Sequence, residues 1–447
     1  MKNTFDLQNP WRKPGYTFPE EPYIQRKIFN RLLKDLNRDE ITVLLGSRQV
    51  GKTFLIKKLI EKLVADKSID PRRIFYFNFD AFNLIELIRS DRDFLDFIEY
   101  YGMPGKTPYI FFDEAQRIPE VGLLLKQYYD LGLGFKFIIS GSSSLEIKSQ
   151  VKETLAGRKH LFELFPVAYG EFLRFKNLKT PDDPAAVMRF ENHNYQRLFE
   201  EFTIFGGYPG VVRLNTPEEK IQLLREIYSS YVQKDISDFL KIEDIAGFNR
   251  LVNFVANQTG GLCKTNEVAK NTRLSRHFVE KYLFALEQTY VVAFLRPYFV
   301  NLGKAVIKTP KLYFCDTGIR NSIFGQFDDL DKRPDAGILI ENFIFSEMLK
   351  TLDKDRLWFY RTTAGSEVDF VFIRADRAVP VEVKYSISRQ YAVPKIFHTL
   401  AQHTRIEKAV IVTRNHLHQE KRESMKILFR PAQTAYHLDQ LIGGGEI

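Results

Sequence analysis

Cysteine and long apolar runs are what this chain has least of. Its 447 residues include two cysteines, Cys263 and Cys315, and eight histidines without an H-E-x-x-H spacing. Two cysteines exclude a disulfide framework and a cysteine-rich zinc site. The N-terminal residues lack the apolar core of a signal peptide, and no apolar run approaches the length of a membrane span. We therefore expect a soluble, cytoplasmic protein without a membrane partner.

One segment fits the phosphate-binding loop pattern G-x-x-x-x-G-K-[ST] without a mismatch. Its residues are Gly46, Ser47, Arg48, Gln49, Val50, Gly51, Lys52 and Thr53. The apolar run 41–45 predicts a buried strand before the loop, and the spacing of apolar residues over 54–60 predicts a helix after it. In that geometry backbone N–H groups and the helix N-terminus face phosphates. Lys52 would bind the β- and γ-phosphates of ATP, and the Thr53 hydroxyl would bind Mg²⁺.

A second apolar segment, 108–112, ends in two adjacent carboxylates, Asp113 and Glu114. This is the form of a Walker B strand, and it begins about sixty residues after the loop. Asp113 would join the Mg²⁺ shell, and Glu114 would polarise the attacking water. The two segments together predict ATP hydrolysis.

Serines follow the next predicted strand, residues 135–139. We expect Ser142 to sense the γ-phosphate between the two Walker strands, with Ser140 and Ser143 as alternatives. The competing interpretation is a serine-rich turn that caps a helix.

Arg158 comes after a short predicted helical stretch. From a neighbouring subunit it would stabilise γ-phosphate charge as an arginine finger. The alternative is an ordinary surface arginine.

An additional predicted strand, residues 73–79, lies between the two Walker segments. In this respect the chain resembles the AAA+ branch of P-loop ATPases. It is similar, more narrowly, to a prokaryotic family of AAA+ ATPases with a C-terminal region of uncharacterised function, over about residues 22–386. The residues that carry this resemblance are 46–53, 113–116, 140–143, 155–158, 206–209 and 381–384. The resemblance implies ATP binding, and a homo-oligomer formed through the AAA+ domain.

Positive charge concentrates between Lys264 and Lys311. Nine basic and three acidic residues give this region a net charge of +6, and the whole chain has a net charge of +9. The pattern predicts a helix-turn-helix with a wing: a helix from Thr265, a turn, a helix capped by Ser275, and two wing strands, 291–295 and 312–314. The DNA-binding candidates on the second helix and its turn are Arg273, Arg276, His277 and Lys281. The alternative is a winged helix that packs against the ATPase domain or a partner protein.

The last third resembles the PD-(D/E)XK nuclease core. A predicted helix carries Glu341, a predicted strand at 366–373 carries Asp369, and the next strand carries Glu382 and Lys384 on one face. Asp369 and Glu382 would hold Mg²⁺ near a scissile phosphate, Glu341 would add a carboxylate, and Lys384 would orient the water. The sequence lacks the Pro of the family motif, because Val368 precedes Asp369.

Breaks in the pattern predict an α/β protein of five segments. They are an N-terminal arm (1–21), an AAA+ P-loop ATPase core (22–205), a helical lid or linker (206–240), a winged-helix domain (241–325) and an α/β restriction-endonuclease-like domain (326–447). Residues 176–195 are expected to form a loop and 219–240 a helix.

Two classes of function agree with these patterns. The first is an ATP-hydrolysing protein that acts on DNA through a nuclease-like C-terminal domain. The second is a non-nucleolytic ATP-dependent switch whose C-terminal half binds a protein or DNA partner.

Overall fold

The chain divides into two compact units in the structure, a computed structural model. The first unit is Met1–Phe165 with Gln288–Tyr290, and the second is Pro166–Glu287 with Val291–Ile447. The residues that the structure describes are 2–142, 154–230, 244–298, 309–386, 388 and 391–443. None of the helices in these ranges has the length and apolar content needed to cross a membrane.

The first unit is built on a parallel five-stranded sheet of order β2-β3-β4-β1-β5. The strands are β1 (Ile41–Gly46), β2 (Ile74–Asn78), β3 (Tyr109–Asp113), β4 (Lys136–Ser142) and β5 (Lys159–Leu164). Their apolar runs are typical of strands that are covered on both faces. The four strands predicted in this region are confirmed, and β4 lies between β1 and β3. Because all pairs are parallel, the loops after β1, β3 and β4 meet at one edge of the sheet.

Helices connect these strands, as parallel pairing requires. The connecting helices are Lys52–Ala65, Asn83–Arg89, Asp91–Tyr101 and Val121–Asp130, and the helices Lys2–Gln8 and Ile28–Asp35 precede β1. Short 3₁₀ turns occur at Pro10–Arg12, Pro71–Arg73 and Ala115–Arg117. The helix predicted over 54–60 is confirmed, and it begins directly after the loop glycine Gly51.

The N-terminal arm begins with a helix and covers the outer edge of β2. The Asn9 amide donates to Tyr76 O and its oxygen accepts from Tyr76 N, both at 2.8 Å. Gln8 makes the same pair of contacts with Asn78, at 3.2 and 2.9 Å. The proline-rich composition of residues 1–20 predicts an irregular arm that packs on the ATPase core. The irregular form is wrong for its first part, because residues Lys2–Gln8 are helical. The two side-chain amides satisfy backbone groups that an edge strand leaves without a neighbouring strand.

The second unit contains an eight-stranded mixed sheet of order β12-β13-β11-β10-β9-β8-β6-β7. The strands are β6 (Val292–Pro297), β7 (Lys311–Phe314), β8 (Leu357–Arg361), β9 (Glu367–Arg374), β10 (Arg377–Lys384), β11 (Lys408–Thr413), β12 (His418–Arg422) and β13 (Met425–Pro431). The antiparallel pair β6–β7 matches the predicted wing strands. β6 also pairs with β8, so one sheet contains segments from both sides of the predicted boundary at residue 325.

The helices of the second unit include those expected at 265–270, after Ser275 and over 337–347. The bounds are Tyr169–Phe175, Pro184–Ala186, Asn192–Phe205, Pro209–Arg213, Pro217–Ile227, Ile245–Asn257, Thr265–Thr272, Arg276–Gln288, Thr317–Phe324, Ala336–Thr351, Ile396–Ala401 and Leu438–Gly443. Val187–Glu191 forms a π-helical turn, and 3₁₀ turns occur at Leu330–Lys332, Lys354–Arg356 and Ala432–His437. The last residue of Arg276–Gln288 is assigned to the first unit.

The loop predicted over 176–195 is wrong from residue 184 onward. Asp183 accepts a hydrogen bond from the backbone N–H of Ala185 at 2.9 Å, and Pro184 occupies the first helical turn. The Asp-Pro pair therefore starts a helix instead of extending a loop. The helix expected over 219–240 begins earlier, at Pro217, and residues 231–240 of that expectation lie outside the described part of the chain.

Candidate functional site

The phosphate-binding loop follows β1 and turns into the helix Lys52–Ala65. Gln49 and Gly51 both have a positive φ, at 62° and 95°. A Cβ on Gly46 would lie 2.3 Å from the carbonyl oxygen of Leu164, to which it is paired across β1 and β5. Glycine is therefore required at residue 46 by a close backbone approach and at residue 51 by the backbone turn. The loop has the strand-turn-helix form that the sequence predicts.

Lys52 lies inside this loop. Its Nζ donates to the carbonyl oxygens of Gly46 and Ser47, both at 2.9 Å, and the residue is 5% exposed. Burial lowers the pKa of Lys52 to about 8, although the nearby charges of Glu114 and Asp113 oppose the change. Among the described residues, the acceptors of the ammonium are two neutral carbonyl oxygens. Phosphate oxygens would be stronger, charged partners.

Asp113 is fully buried at the end of β3, and both of its carboxylate oxygens accept hydrogen bonds. The hydroxyl of Ser140 on β4 donates to Oδ1, and the hydroxyl of Tyr76 on β2 donates to Oδ2 at 2.8 Å. Burial, and then the charge of Asp113, raise the pKa of Tyr76, so Tyr76 stays a donor. These two hydroxyls fix the orientation of the carboxylate.

Glu114 has left-handed backbone geometry, with a φ of 56° and a ψ of 41°. The side-chain amide of Gln116 donates to Glu114 Oε2. The turn after β3 thus holds the carboxylate that would polarise water, and a neighbouring residue occupies one of its oxygens.

The serines after β4 have different positions. Ser140 is buried against Asp113, so it orients the predicted Mg²⁺ ligand. The backbone of Ser142 ends β4 in register with Gly46, at the strand end where a γ-phosphate sensor is expected. The Ser142 side chain and Ser143 lie outside the described residues. The choice of Ser142 stays a prediction.

Arg158 forms an ion pair within its own unit. Its Nε and NH2 donate to Asp130 Oδ1 and Oδ2, at 2.7 and 3.2 Å. The side chains are partly exposed, at 31% for Arg158 and 43% for Asp130. Exposed pairs of this kind stabilise a protein by only about 0–1 kcal/mol. The pair would not prevent Arg158 from reaching a different anion.

These residues fit ATP with Mg²⁺. The loop supplies backbone N–H groups and the ammonium of Lys52, Thr53 is half-buried at the start of the helix, and Asp113 ends the strand β3 at the same edge of the sheet. A hydroxyl, a carboxylate and phosphate oxygens are the oxygen ligands that Mg²⁺ prefers.

A second cluster of ionisable groups forms in the second unit. Glu382 Oε1 contacts Lys384 Nζ at 2.6 Å, and Asp369 Oδ2 accepts from the backbone N–H of Val383 at 2.8 Å. The backbone N–H of Asp369 points to Glu382 Oε2 at 3.4 Å. The hairpin β9–β10 therefore brings Asp369, Glu382 and Lys384 together, as strand alternation predicts.

Glu341 joins this cluster through two residues that the sequence did not single out as site residues. Lys311 Nζ lies 3.2 Å from Glu341 Oε1 and 4.0 Å from Asp369 Oδ1. The Tyr313 hydroxyl donates to Glu341 Oε1 at 2.6 Å. Lys311 and Tyr313 are two apart on β7, so strand alternation puts both on one face, but only the fold brings that face to the carboxylates.

The cluster has strongly shifted ionisation. Burial, followed by the charges of Glu341 and Glu382, raises the pKa of Asp369 well above its usual value. Burial also raises the pKa of Glu382. Burial alone would lower the pKa of Lys311, but the charges of Glu341, Asp369 and Glu367 outweigh it and raise the value.

Mg²⁺ does not fit this second cluster as it is arranged. Within the described ranges, no group of three or more His, Cys, Asp or Glu side chains is placed so that it could hold a metal ion. The ammonium of Lys311 lies among the carboxylates, 2.5 Å from Glu367 Oε1. The magnesium assignment to Glu341, Asp369 and Glu382 stays a prediction, and the position of Lys311 argues against it.

The DNA-binding candidates lie on and beside the helix Arg276–Gln288. Arg273, at the turn before it, has a φ of 57° and is exposed, as are Arg276 and His277, while Lys281 is half-buried. Arg276 Nε contacts Glu280 Oε1 at 2.8 Å. Phe278, which the helical pattern assigns to the apolar side, is 44% exposed.

Three of the nine basic residues counted between 264 and 311 do not add to the described surface charge. Lys311 is buried at 4% exposure, and Lys304 and Lys308 lie outside the described residues. The charge counted along a sequence overestimates the surface charge when a lysine is buried in ion pairs with carboxylates, as Lys311 is.

The first of these sites lies in a part of the chain that matches a described family. Residues 38–173 match the family described as AAA domain. Residues 196–330 and 336–431 match two domains of unknown function, DUF8612 and DUF4143. The N-terminal part of the chain is thus similar to an AAA domain, and the phosphate loop and Asp113 lie inside the matched range.

The relatives that match most of the chain carry the name uncharacterized protein. One from Haemophilus influenzae is 24% identical over 92% of this chain and 96% of its own length. One from Mycobacterium tuberculosis is 26% identical over 80% of this chain and 74% of its own length. One from Methanocaldococcus jannaschii is 25% identical over 81% of this chain and 78% of its own length. Sequence similarity over most of the chain therefore extends to proteins of bacteria and of an archaeon.

Two solved structures align at low similarity. The Cdc6p structure from Pyrobaculum aerophilum has a TM-score of 0.26 and 13% identity, and covers 64% of this chain and 91% of its own. A DNA polymerase III gamma subunit-related protein from Thermotoga maritima has a TM-score of 0.24 and 11% identity, and covers 58% of this chain and 99% of its own. TM-scores of this size do not establish a common fold.

Proposed function

We propose that the chain binds ATP with Mg²⁺ in its first unit, hydrolyses it, and acts on DNA through its second unit. The ATP proposal depends mainly on one observation. Lys52 lies buried in the loop after β1, and Asp113 lies buried at the end of β3 on the same sheet edge. A buried ammonium and a buried carboxylate at the carboxyl ends of parallel strands are the elements of a phosphoryl-transfer site.

The residues have separate roles in hydrolysis. Lys52 exchanges the carbonyl oxygens of Gly46 and Ser47 for the β- and γ-phosphates, and Thr53 and Asp113 hold Mg²⁺, which neutralises charge on the phosphates. Ser140 and Tyr76 keep Asp113 oriented. Glu114 polarises the attacking water through the oxygen that Gln116 does not occupy.

Two substitutions separate binding from hydrolysis. Lys52→Ala is expected to abolish tight ATP binding, because it removes the positively charged ammonium that would bind the phosphates. Glu114→Gln is expected to keep binding and to lower kcat by about 100-fold or more, because it removes the base but keeps Asp113. Lys57→Ala, on the exposed side of the same helix, is the control. Equal turnover by wild type and Glu114→Gln would remove Glu114 from the mechanism.

The DNA proposal is supported by the exposure of Arg273, Arg276 and His277 at the start of one helix, beside Lys281 and the exposed ring of Phe278. The N-terminal part of the second helix of a helix-turn-helix is the part that enters the major groove. Phosphate contacts from these cations would supply most of the affinity and make it depend on salt.

The test is a charge reversal with a matched control. Arg276→Glu with Lys281→Glu is expected to weaken binding to duplex DNA and to reduce the slope of log Kd against log salt by about two. Lys421→Glu with Lys426→Glu makes the same charge change on β12 and β13 and should leave the slope unchanged. If both double variants behave alike, the helix Arg276–Gln288 is not the DNA contact.

For the C-terminal part, two candidates remain. The grouping of Asp369, Glu382 and Lys384 supports a nuclease-like domain coupled to ATP hydrolysis. The ion pairs of Lys311 favour the second candidate, a non-nucleolytic switch that binds its partner without cleavage. Incubation of supercoiled plasmid with Mg²⁺ distinguishes them: wild-type cleavage that is lost in Lys384→Ala supports the first candidate only.

A further inference from the structure

Lys311 occupies an unusual position for a lysine, because the side chain is 4% exposed and three carboxylates surround it. Its Nζ lies 2.5 Å from Glu367 Oε1, 3.2 Å from Glu341 Oε1 and 4.0 Å from Asp369 Oδ1. Lysine is almost never fully buried unless it is paired. These carboxylates come from two different elements, the helix Ala336–Thr351 and β9. The ammonium therefore connects groups that no local sequence pattern brings together.

The charges of the cluster nearly balance without an added ion. The acidic groups are Glu341, Glu367, Asp369 and Glu382. The basic groups that contact them are Lys311, Lys384 and Arg361, whose NH1 lies 3.1 Å from Glu367 Oε2. Among the residues that the structure describes, four carboxylates against three cations leave one formal negative charge. A bound divalent cation would turn this into one formal positive charge, unless it displaced one of the bases.

The oxygens of the cluster are also engaged by groups of the chain itself. Asp369 Oδ2 accepts from the Val383 N–H at 2.8 Å, and Glu341 Oε1 accepts from the Tyr313 hydroxyl at 2.6 Å. Glu382 Oε1 contacts Lys384 at 2.6 Å. Mg²⁺ requires near-octahedral oxygen ligands at about 2.0–2.1 Å and gives up its water reluctantly. The three oxygens named here would have to exchange their present partners to act as such ligands.

We propose that the ammonium of Lys311 is a resident cation of this cluster, taking the place that a divalent metal ion has in a nuclease-like site. The carboxylates then hold the hairpin β9–β10 and the helix Ala336–Thr351 together, and the second unit engages its partner without metal-dependent cleavage. This inference rests on the non-nucleolytic candidate of the proposed function. It adds that a single lysine keeps the cluster from binding metal.

The experiment measures Mn²⁺ binding to the nucleotide-free full chain by electron paramagnetic resonance. We expect no Mn²⁺ site in wild type that depends on Asp369. Lys311→Met removes the ammonium at nearly constant side-chain length and should create such a site, with affinity at least about ten-fold tighter than in wild type. Adding Asp369→Asn should abolish the new site. Lys408→Met removes another partly buried lysine of the same unit and should create none.

Each result has a defined consequence. A wild-type Mn²⁺ site that Asp369→Asn removes would overturn the proposal, and so would Mg²⁺-dependent plasmid cleavage by wild type that Lys384→Ala loses. A folded Lys311→Met chain that gains no Mn²⁺ would overturn it as well. If Lys311→Met does not fold, Lys311→Arg decides: this variant keeps the charge, so it should fold and remain without an Asp369-dependent site. ATP hydrolysis by the same variants reports on the first unit, so failure of the ATPase proposal is seen separately.

Discussion

Burial and neighbouring charges shift the pKa values of individual residues in this chain. Lys52 is the clearest example, because burial lowers its pKa to about 8 while the loop offers it two neutral carbonyl oxygens. Phosphates would favour the protonated ammonium, so ATP binding should raise this pKa again. Binding and protonation are then thermodynamically linked.

The linkage predicts how ATP affinity depends on pH. Below about pH 8 Lys52 is already protonated before ATP binds, so this residue should not make the Kd for ATP depend on pH. Above pH 8 ATP binding must take up a proton, so the Kd should rise by up to about ten-fold per pH unit. Calorimetry in buffers of different ionisation enthalpy measures the uptake directly. The pH dependence of the Kd should remain in Lys57→Met. It should be lost in Lys52→Arg, because arginine stays charged over this range. A wild-type Kd that is constant from about pH 7.5 to about pH 9.5 contradicts the linkage.

Tyr76 is a positioning residue for the predicted Mg²⁺ ligand, because its hydroxyl donates to Asp113 Oδ2 at 2.8 Å. Tyr76→Phe should raise the Mg²⁺ concentration for half-maximal hydrolysis by about ten-fold, since groups behind a metal ligand commonly contribute this much. A purely structural effect would lower stability without changing the Mg²⁺ requirement. Tyr128→Phe, which removes a hydroxyl bonded to Asp91 at 3.1 Å, is the control. An unchanged Mg²⁺ requirement in Tyr76→Phe would assign Tyr76 to packing alone.

The sequence predicts single residues well where a short motif carries the chemistry. Lys52 and Asp113 were identified because the loop and the strand end are contiguous patterns. Tyr76 and Lys311 were not, because each acts on a residue far along the chain: Tyr76 on Asp113, and Lys311 on Glu341 and Glu367. On a strand such side chains look like ordinary alternating residues until the pairing of strands is known.

At the scale of elements, strands and helices are predicted closely and the exceptions have physical causes. A loop was predicted over residues 176–195 because Pro and Asp are common in loops. Asp183 instead caps the helix that begins at Pro184. The sequence predicts the strand β2. It does not predict that the side-chain amides of Gln8 and Asn9 bind the outer edge of this strand. Local composition does not distinguish a helix start from a turn, and it does not show which strand forms an edge.

Close backbone approaches give a prediction at this scale. A Cβ on Gly318 would lie 2.2 Å from the carbonyl oxygen of Phe205, which is backbone and cannot rotate away. Gly318→Ala should therefore lower the free energy of unfolding of the second unit by about 1–3 kcal/mol. Gly337, which also lies in the first turn of a helix, has no atom within 4 Å of its Cβ position, so Gly337→Ala should be neutral or slightly stabilising. Scanning calorimetry compares the two; equal stability of both variants would mean that the helix Thr317–Phe324 shifts without cost.

At the scale of the whole molecule, the chain forms two compact units where five segments were expected. The boundary expected at residue 325 falls inside a region that one sheet spans, because β6 pairs with β8. Breaks in the sequence pattern indicate turns, but the pairing of strands determines which segments share a hydrophobic core. The proposal of an oligomer concerns this scale too, since the arginine finger hypothesis requires a second copy of the chain.

Arg158 allows that hypothesis to be tested in solution. Its guanidinium is paired with Asp130 at a partly exposed position, so a neighbouring γ-phosphate would compete with a weak ion pair. If Arg158 acts in a neighbouring subunit, ATP hydrolysis per chain should rise with protein concentration, and Arg158→Ala should lower kcat by about 1000-fold without changing the Kd for ATP. Asp130→Asn leaves the arginine in place and should keep full activity. Mixing Arg158→Ala with Lys52→Ala should restore part of the turnover, because some interfaces then join an intact loop to an intact arginine. A rate independent of concentration, with no recovery on mixing, would show that Arg158 only binds Asp130.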